Sequence, residues 1–378
     1  MGWTPYQGFL AGMMVVTGSI NTLSTKWADR LNSTNSEGKE VPFKHPFLQA
    51  SGMFLGEFTC FIAFLIQHFY HRRRQREIGD LIPMNTRLIN FNPLIFLVPA
   101  LCDMTATSTM YIGLTLTFAA SFQMFRGAVI IFTGLLSVAF LGRILKSREW
   151  IGIFSVILGL VIVGLTDTFF SKEVTGRRND IITGDLLILT AQVITAIQMV
   201  YEEKFISKYN VPPLLAVGLE GFFGFVVLGV LLVPMYHIKV GPPFSGNPRG
   251  TLEDALDGLT QLGNNTFLLL AFCGTIVSIA FFNFAGVSVT KEISATTRTV
   301  LDSVRTLVIW VVSLALSWQG FFWPQVLGFL VLVFGMCLYN NVIVVPLLRK
   351  WGCMKPDEPD TEHLIAQRST LYSDSGPE

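Results

Sequence analysis

Ten stretches of mostly apolar residues, each long enough to cross a bilayer, constrain the fold of this chain more than any other feature. A transmembrane helix needs about 20 such residues. Only 14% of the residues are charged, whereas a soluble domain has about a quarter. The stretches cover residues 6–25, 47–70, 93–113, 119–141, 150–165, 183–201, 213–234, 267–289, 293–318 and 322–347. The sequence therefore predicts an all-α membrane protein with ten transmembrane helices.

The distribution of positive charge predicts the orientation of these helices. If both termini are cytosolic, fifteen of the 27 Lys and Arg residues lie on the cytosolic side, nine on the other side and three within the membrane. Cytosolic loops of membrane proteins carry the excess of Lys and Arg. We therefore expect the N-in, C-in topology. It places the sequon at Asn32 in the first lumenal loop, where glycosylation is expected.

Short patterns recur along the chain at a nearly constant offset, which indicates an internal repeat. Residues 123–126 match residues 302–305. The glycines Gly152 and Gly159 match Gly328 and Gly335. Because each half contains five helices, an odd number, the second half enters the membrane upside down. The predicted units are a first repeat in residues 1–168, a second repeat in residues 183–348 and a disordered cytosolic tail in residues 349–378.

This architecture favours a secondary transporter over an enzyme. Inverted repeats place a binding site near the midplane, where the two halves meet and can open alternately to each side. The sequence contains no GxSxG, HExxH or nucleotide-binding loop, so neither an enzyme nor an ATP-driven pump is indicated. The five histidines and five cysteines lack metal-site spacing, and no cofactor is implied. A net charge of +1 without a basic tract gives no basis for nucleic-acid binding.

Charged residues inside the apolar stretches are the best functional candidates, because they normally face a bundle interior or an aqueous cavity. Arg298, Asp302 and Arg305 share one helix face. Arg126 is related to Arg305 by the repeat, and we expect these two arginines to approach each other and bind a phosphate or carboxylate. The expected substrate-binding residues are Arg126, Gln123, Arg298, Asp302, Arg305, Asn283 and Tyr111.

Two further expectations concern the intramembrane charges. Glu57, Asp103 and Glu220 are candidates for proton coupling, because buried acids commonly relay protons in transporters. Arg126 has no acidic neighbour in its own helix, whereas Arg305 has Asp302, so Arg126 is favoured for direct substrate contact. A closed network of structural ion pairs is the alternative for all of these residues.

The polar tail contains a candidate sorting signal. Asp360 lies four residues before Leu364 and Ile365, which is the spacing of an acidic dileucine motif. Cytosolic sorting adaptors bind such motifs as extended peptides. We therefore expect a lysosomal or endolysosomal membrane, with the Golgi membrane and the mitochondrion as alternatives.

Several sequence blocks resemble one known family. The blocks GSINTLSTKWAD, PALCDMTATSTMYIGL and VTKEISATTRTVLDSVRTLVIW resemble solute carrier family 35, subfamily F, in the drug/metabolite transporter superfamily. The resemblance covers about residues 1–349 and implies a secondary carrier of organic solutes in an internal membrane. It does not imply nucleotide sugars as substrates, because the nucleobase-recognising residues of such carriers have no counterparts here beyond Arg126 and Arg305.

The leading hypothesis is a carrier of a small anionic or zwitterionic organic solute that works by alternating access. One alternative is a Golgi-type nucleotide-sugar antiporter. A transport-inactive membrane scaffold, whose tail recruits partners, is an alternative from another functional class. The sequence leaves open whether the protein forms a homodimer.

Overall fold

The structure is a computed structural model that describes residues 4–78, 91–117, 119–142, 145–174, 178–240, 247, 249–293, 295–316 and 323–339. α-Helices account for most of these residues, and helix is present in each of the ten predicted stretches. The helices are α1 (Pro5–Arg30), α2 (Pro46–Ile78), α3 (Leu97–Leu116), α4 (Ala119–Phe125), α5 (Val129–Leu141), α6 (Ser147–Val174), α7 (Arg178–Tyr209), α8 (Pro213–His237), α9 (Ala255–Asn264), α10 (Thr266–Glu292), α11 (Ala295–Ala315) and α12 (Trp323–Tyr339).

Six helical stretches in the described part of the chain are long and apolar enough to cross a membrane. They are Pro46–Tyr70, Pro93–Leu114, Ser147–Thr166, Asn179–Tyr209, Pro213–His237 and Thr266–Glu292. Large apolar side chains such as Phe154 and Val230 are exposed on the outside of the bundle, where lipid would contact them. The chain is a multi-pass membrane protein.

The fourth predicted span is broken by a 3₁₀ turn at Arg126–Ala128, which separates α4 from α5. The prediction of one continuous helix over residues 119–141 is therefore wrong at this turn. Glycine is a poor helix former, and a side chain at Gly127 would lie 2.5 Å from Met336 of α12. Short 3₁₀ segments inside helices often mark functional positions, and Arg126 begins this one.

Four helix pairs carry much of the packing, and each joins a helix that precedes residue 178 to one that begins at or after it. The pairs are α1 with α10, α2 with α8, α3 with α7, and α6 with α12. The last pair is antiparallel and meets backbone to backbone. A Cβ atom on Gly152 would lie 2.8 Å from the Gly335 carbonyl oxygen, and one on Gly159 would lie 2.7 Å from that of Gly328. These glycines therefore allow close helix packing.

A small cap closes one end of the bundle and consists of α9 and a hairpin of two strands, β1 (Asn32–Thr34) and β2 (Glu40–Pro42). The strands pair antiparallel with Ser33 opposite Val41. Ser33 donates a hydrogen bond to the Gln261 carbonyl oxygen at 2.7 Å, which ties the hairpin to α9. The hairpin is an addition to the predicted all-α fold, because three-residue strands are too short to show a period in the sequence.

His45 holds the cap to the start of α2. Its Nδ1 lies 2.7 Å from Glu253 Oε1, and its Nε2 lies 3.6 Å from Asp257 Oδ2. Burial alone would raise the pKa of Asp257, but hydrogen bonds from Ser36 and Gln261, together with nearby His45, lower it below its usual range. The ionised form of Asp257 is therefore the form that the folded cap stabilises.

Candidate functional site

A cavity of about 140 Å³ lies inside the bundle, surrounded by helices from both halves of the chain. Its walls come from α1 to α5 in the first half and from α7, α8, α10 and α11 in the second, whereas none of the lining residues in the described part of the chain belongs to α6 or α12. Nine of the predicted intramembrane site residues line it: Arg126, Arg298, Asp302, Arg305, Asn283, Tyr111, Glu57, Asp103 and Glu220. The side chain of Gln123 lies outside the described residues.

Two of the arginines, which we call the arginine pair, approach the same carboxylate. Arg305 Nη2 lies 2.6 Å from Asp302 Oδ1, and Arg126 Nη2 lies 3.8 Å from Asp302 Oδ2. Arg305 is almost fully buried over the Phe282 ring, at 4.6 Å from the ring centroid. The Arg126 side chain keeps 20% of its surface exposed. Two guanidinium groups thus share one carboxylate, which leaves a formal positive charge at this end of the cavity.

Arg298 has a separate partner, Glu202, which was not among the predicted site residues. Arg298 Nη1 donates to Glu202 Oε2 at 2.6 Å, and both side chains are buried. The sequence prediction ended the sixth helix at residue 201, but α7 continues to Tyr209. One feature of the sequence could have identified Glu202: it follows the cavity-lining Gln198 by four residues and therefore lies on the same helix face.

Four acids around Arg298 form what we call the carboxylate cluster: Glu57, Asp103, Glu202 and Glu220. Each of Glu57, Asp103 and Glu220 interacts electrostatically with Glu202 and with Arg298. Four carboxylates around one guanidinium give a formal charge of −3 if all are ionised. Carboxylates that interact in a low-dielectric interior need cations, protons or hydrogen-bond donors to neutralise them.

The hydrogen-bond donors in the described part of the chain satisfy this cluster only in part. Glu57 accepts a hydrogen bond from Asn283, and Asp103 accepts one from Thr107 at 3.2 Å. The Oε1 atom of Glu220 is buried and accepts no hydrogen bond from the described residues. Glu220 therefore offers a free acceptor to whatever occupies the cavity.

The sequence also failed to predict part of the cavity wall that α1 contributes. Lys26 and Asp29 line the cavity, although the first span was predicted to end at residue 25. Asn21, Thr25 and Asp29 recur every four residues and therefore share one helix face. Tyr111 of α3 adjoins this face through Thr25, and its hydroxyl donates to the Met53 sulfur at 3.6 Å.

The remaining predicted sites lie apart from the cavity. Asn32 is exposed at the start of β1. The sorting motif of Asp360, Leu364 and Ile365 lies outside the described residues. No group of three or more His, Cys, Asp or Glu residues within the described ranges is arranged to hold a metal ion.

Comparisons with known proteins agree with a transport role. The model of the nucleotide-sugar transporter family matches residues 13–340. Human solute carrier family 35 member F6 is 56% identical over 378 residues, which covers 99% of this chain and all of that protein. The mouse protein of the same name is 54% identical over 379 residues, with the same coverage. An uncharacterised fission yeast protein is 30% identical over 340 residues and covers 89% of this chain.

One solved crystal structure shares the fold. It aligns with a TM-score of 0.56 at 12% identity and covers 92% of this chain and 99% of its own. The charged cavity inside a helical bundle and the family match over nearly the whole chain lead to one conclusion. The chain belongs to the nucleotide-sugar transporter family and is a multi-pass membrane transporter of the solute carrier family 35 type.

Proposed function

We propose that the chain is a secondary carrier that moves a small anionic or zwitterionic organic solute across an internal membrane by alternating access. One observation supports this most strongly: the charged cavity is lined by both halves of the chain. A site at the interface of two halves is the arrangement that alternating access requires.

The helix contacts support two inverted repeats, in residues 1–168 and 183–348. In the two repeats α1 corresponds to α7, and α3 corresponds to α10. Exchanging the repeats therefore turns the contact of α1 with α10 into the contact of α7 with α3, and both contacts are present. The packing of α2 on α8 and of α6 on α12 each maps onto itself. These relations are those of a twofold axis between the halves, which is compatible with both termini on the same side of the membrane. The charge distribution favours the cytosol as that side.

Arg126 is the residue that we assign to direct contact with an anionic group of the solute. It is more exposed than Arg305 and lies farther from their shared carboxylate. Its planar guanidinium can bind a carboxylate or phosphate through two hydrogen bonds. Asn283 and Tyr111 line the same cavity and supply polar contacts, and we include Gln123, Arg298, Asp302 and Arg305 in the binding site.

Proton coupling is assigned to Glu57, Asp103 and Glu220. All three line the cavity and interact electrostatically with one another or with Glu202. Intramembrane acids in such positions serve as proton relays in pumps and transporters. Uptake driven by an imposed proton gradient, and lost in Glu220→Gln, would support this assignment.

Release of solutes from proteoliposomes tests the carrier function directly. Vesicles with the full-length protein are loaded with a small-molecule extract of cells, and released solutes are identified by mass spectrometry against protein-free vesicles. We expect at least one organic solute to leave through the protein and Arg126→Gln to slow its release at least about tenfold. The control is Arg249→Gln, because Arg249 is exposed on the cap side, away from the cavity.

Two results would count against the proposal. If the wild-type protein releases no solute above the protein-free background, the carrier function fails and the scaffold alternative gains. If Arg126→Gln transports as well as the wild type, the assignment of Arg126 fails while the carrier function stands.

Nucleotide-sugar antiport is the second candidate, and the family match favours it. The size of the cavity weighs against it in this conformation. An engineered cavity of about 150 Å³ takes up a molecule of benzene, so a space of about 140 Å³ is much smaller than a nucleotide sugar. Exchange of labelled nucleotide sugars for nucleoside monophosphates across proteoliposomes would decide in favour of this candidate.

The address that we propose is the lysosomal or endolysosomal membrane, reached through adaptors that bind the tail motif. Replacing both Leu364 and Ile365 by Ala should move the protein to the cell surface. An unchanged location would remove this assignment and leave the Golgi membrane and the mitochondrion.

We also infer glycosylation at Asn32, which is exposed on the cap. Asn32→Gln should then increase the electrophoretic mobility to that of the glycosidase-treated wild type. Equal mobility of the untreated proteins would contradict glycosylation at this site.

A further inference from the structure

We propose that the cavity recognises a solute with a protonated amine at one end and an acid group at the other, with the amine bound by Glu220. This inference rests on the carrier function proposed above and narrows its substrate class from anions or zwitterions to zwitterions with separated charges. The observations that carry it are the opposite charges of the two ends of the cavity and the free acceptor on Glu220.

The two ends of the cavity are separated along α11. Arg298 belongs to the carboxylate cluster, and Arg305 belongs to the arginine pair. Seven residues of α-helix separate them, which corresponds to about 10 Å along the helix axis. The carboxylate cluster has a formal charge of −3 when all four of its acids are ionised, and the arginine pair with Asp302 has a formal charge of +1. The two groups adjoin, because Asp103 also interacts with Arg126. A purely anionic solute would satisfy only the second end.

Glu220 is the member of the carboxylate cluster that is best placed to receive a cation. Glu202 binds Arg298 through one oxygen, and its other oxygen is also unsatisfied, but Glu202 is not among the residues that line the cavity. Glu57 and Asp103 already accept hydrogen bonds from Asn283 and Thr107. Glu220 is 6% exposed, lines the cavity and has a buried oxygen that no described residue contacts as a hydrogen-bond donor. An ammonium group has three donors and no acceptor, which suits a site with unsatisfied carboxylate oxygens.

The size of the cavity limits the length of such a solute. A space of about 140 Å³ is close to the engineered cavity of about 150 Å³ that takes up benzene, which limits the solute to a small molecule. The linear amino acid 6-aminohexanoate fits this size and carries its charges at opposite ends. Leucine is its isomer, with the same atoms but with both charges on neighbouring carbons, so the pair separates the effect of charge spacing from that of size.

The test is counterflow of labelled 6-aminohexanoate in proteoliposomes that contain the full-length protein at pH 7. Unlabelled leucine, hexanoate and hexylamine serve as competitors. We expect counterflow above the protein-free background, and we expect each competitor to need at least a tenfold higher concentration than unlabelled 6-aminohexanoate for half inhibition.

Variants connect the result to the assigned residues. In Glu220→Gln we expect counterflow to fall at least about tenfold, and in the residual flux hexylamine should lose its competition while hexanoate keeps it. This selective loss would not follow from a merely structural role. The control is Glu37→Gln, because Glu37 is an exposed carboxylate of the cap hairpin that pairs with Lys39; its flux should equal that of the wild type.

Three outcomes would overturn the inference. Hexanoate that competes as well as 6-aminohexanoate would show that the amine is not recognised. Leucine that competes better would overturn the separated charges. Absence of 6-aminohexanoate counterflow, in a preparation that releases other solutes from a cell extract, would overturn the inference and leave the carrier function standing. Absence of flux in both assays would remove the carrier function as well.

Discussion

Arg298 donates to Glu202 at 2.6 Å, and this buried ion pair joins the first turn of α11 to the last part of α7. The pair lies among three further carboxylates, Glu57, Asp103 and Glu220. Its two members therefore differ in the number of oppositely charged groups that they face. Arg298 is the guanidinium that the whole carboxylate cluster faces, whereas Glu202 is one of four acids.

Arg298→Gln should destabilise the protein more than Glu202→Gln. Loss of one partner from a buried ion pair costs roughly 3–5 kcal/mol when it leaves a charge uncompensated. We expect a cost of this order for Arg298→Gln, which removes the guanidinium that all four acids share. The cost should be smaller for Glu202→Gln, because Glu57 and Glu220 still face Arg298. Thermal unfolding of the purified protein in detergent measures both, and an equal or reversed order would contradict the prediction.

Arg305→Gln should lower the unfolding midpoint, whereas Arg126→Gln should leave it nearly unchanged. Arg305 is 3% exposed and lies 2.6 Å from Asp302, so its loss leaves a buried carboxylate without its nearest cation. Arg126 is more exposed and 3.8 Å from the same group. The two purified variants form a matched pair for thermal unfolding. A large loss of stability in Arg126→Gln would show that it holds the bundle together rather than contacting solute.

Gly152→Ala should destabilise the contact between α6 and α12 by about 1–3 kcal/mol, the usual cost of overpacking. The added Cβ would lie 2.7 Å from the Tyr339 amide nitrogen and 2.8 Å from the Gly335 carbonyl oxygen, and backbone atoms have little freedom to move. The matched control is Gly229→Ala in the middle of α8, where no heavy atom lies within 4 Å. The control should be neutral or slightly stabilising, because Ala favours helix. Equal effects of the two changes on thermal unfolding would contradict the close contact.

Asp257→Asn should lower the unfolding midpoint at pH 7, and this difference from the wild type should shrink in acid. The folded cap holds the pKa of Asp257 below its usual range, so the ionised carboxylate contributes stability above the unfolded pKa of about 3.9. That contribution is lost as the pH falls through the folded pKa. Midpoints measured between pH 7 and pH 3 test this, with the exposed Glu37→Gln as the control. A difference that stays constant over this range would contradict it.

The sequence predicted the helices well because a lipid-exposed helix must be apolar over its whole length. It predicted the ends of the helices poorly, because a helix continues beyond the apolar stretch wherever another helix or a cavity solvates it. α7 extends to Tyr209 in this way. Glu202 and Lys26 lie just past the predicted ends of two helices, so they were not predicted as intramembrane charges.

The charged residues of the cavity were predictable one by one, because each lies inside an apolar stretch. Their partners were not, since an ion pair between different helices depends on how the bundle packs. Asp302 was expected to partner Arg305, but its contact with Arg126 and the pairing of Arg298 with Glu202 become visible only in three dimensions. The break at Arg126 was missed for the same reason, because the close approach of α12 to Gly127 is a tertiary contact.

The glycine contacts between α6 and α12 limit how this transporter can move. Two backbones that touch at Gly152 with Gly335 and at Gly159 with Gly328 cannot slide past each other without collision. The described parts of both helices lie outside the cavity. Helices around the cavity make close backbone contacts as well, since a Cβ atom on Gly184 of α7 would lie 2.8 Å from the Gly113 carbonyl oxygen of α3. The pair therefore moves as one rigid unit, and opening of the cavity requires other closely packed pairs, such as α3 with α7, to tilt against it as units.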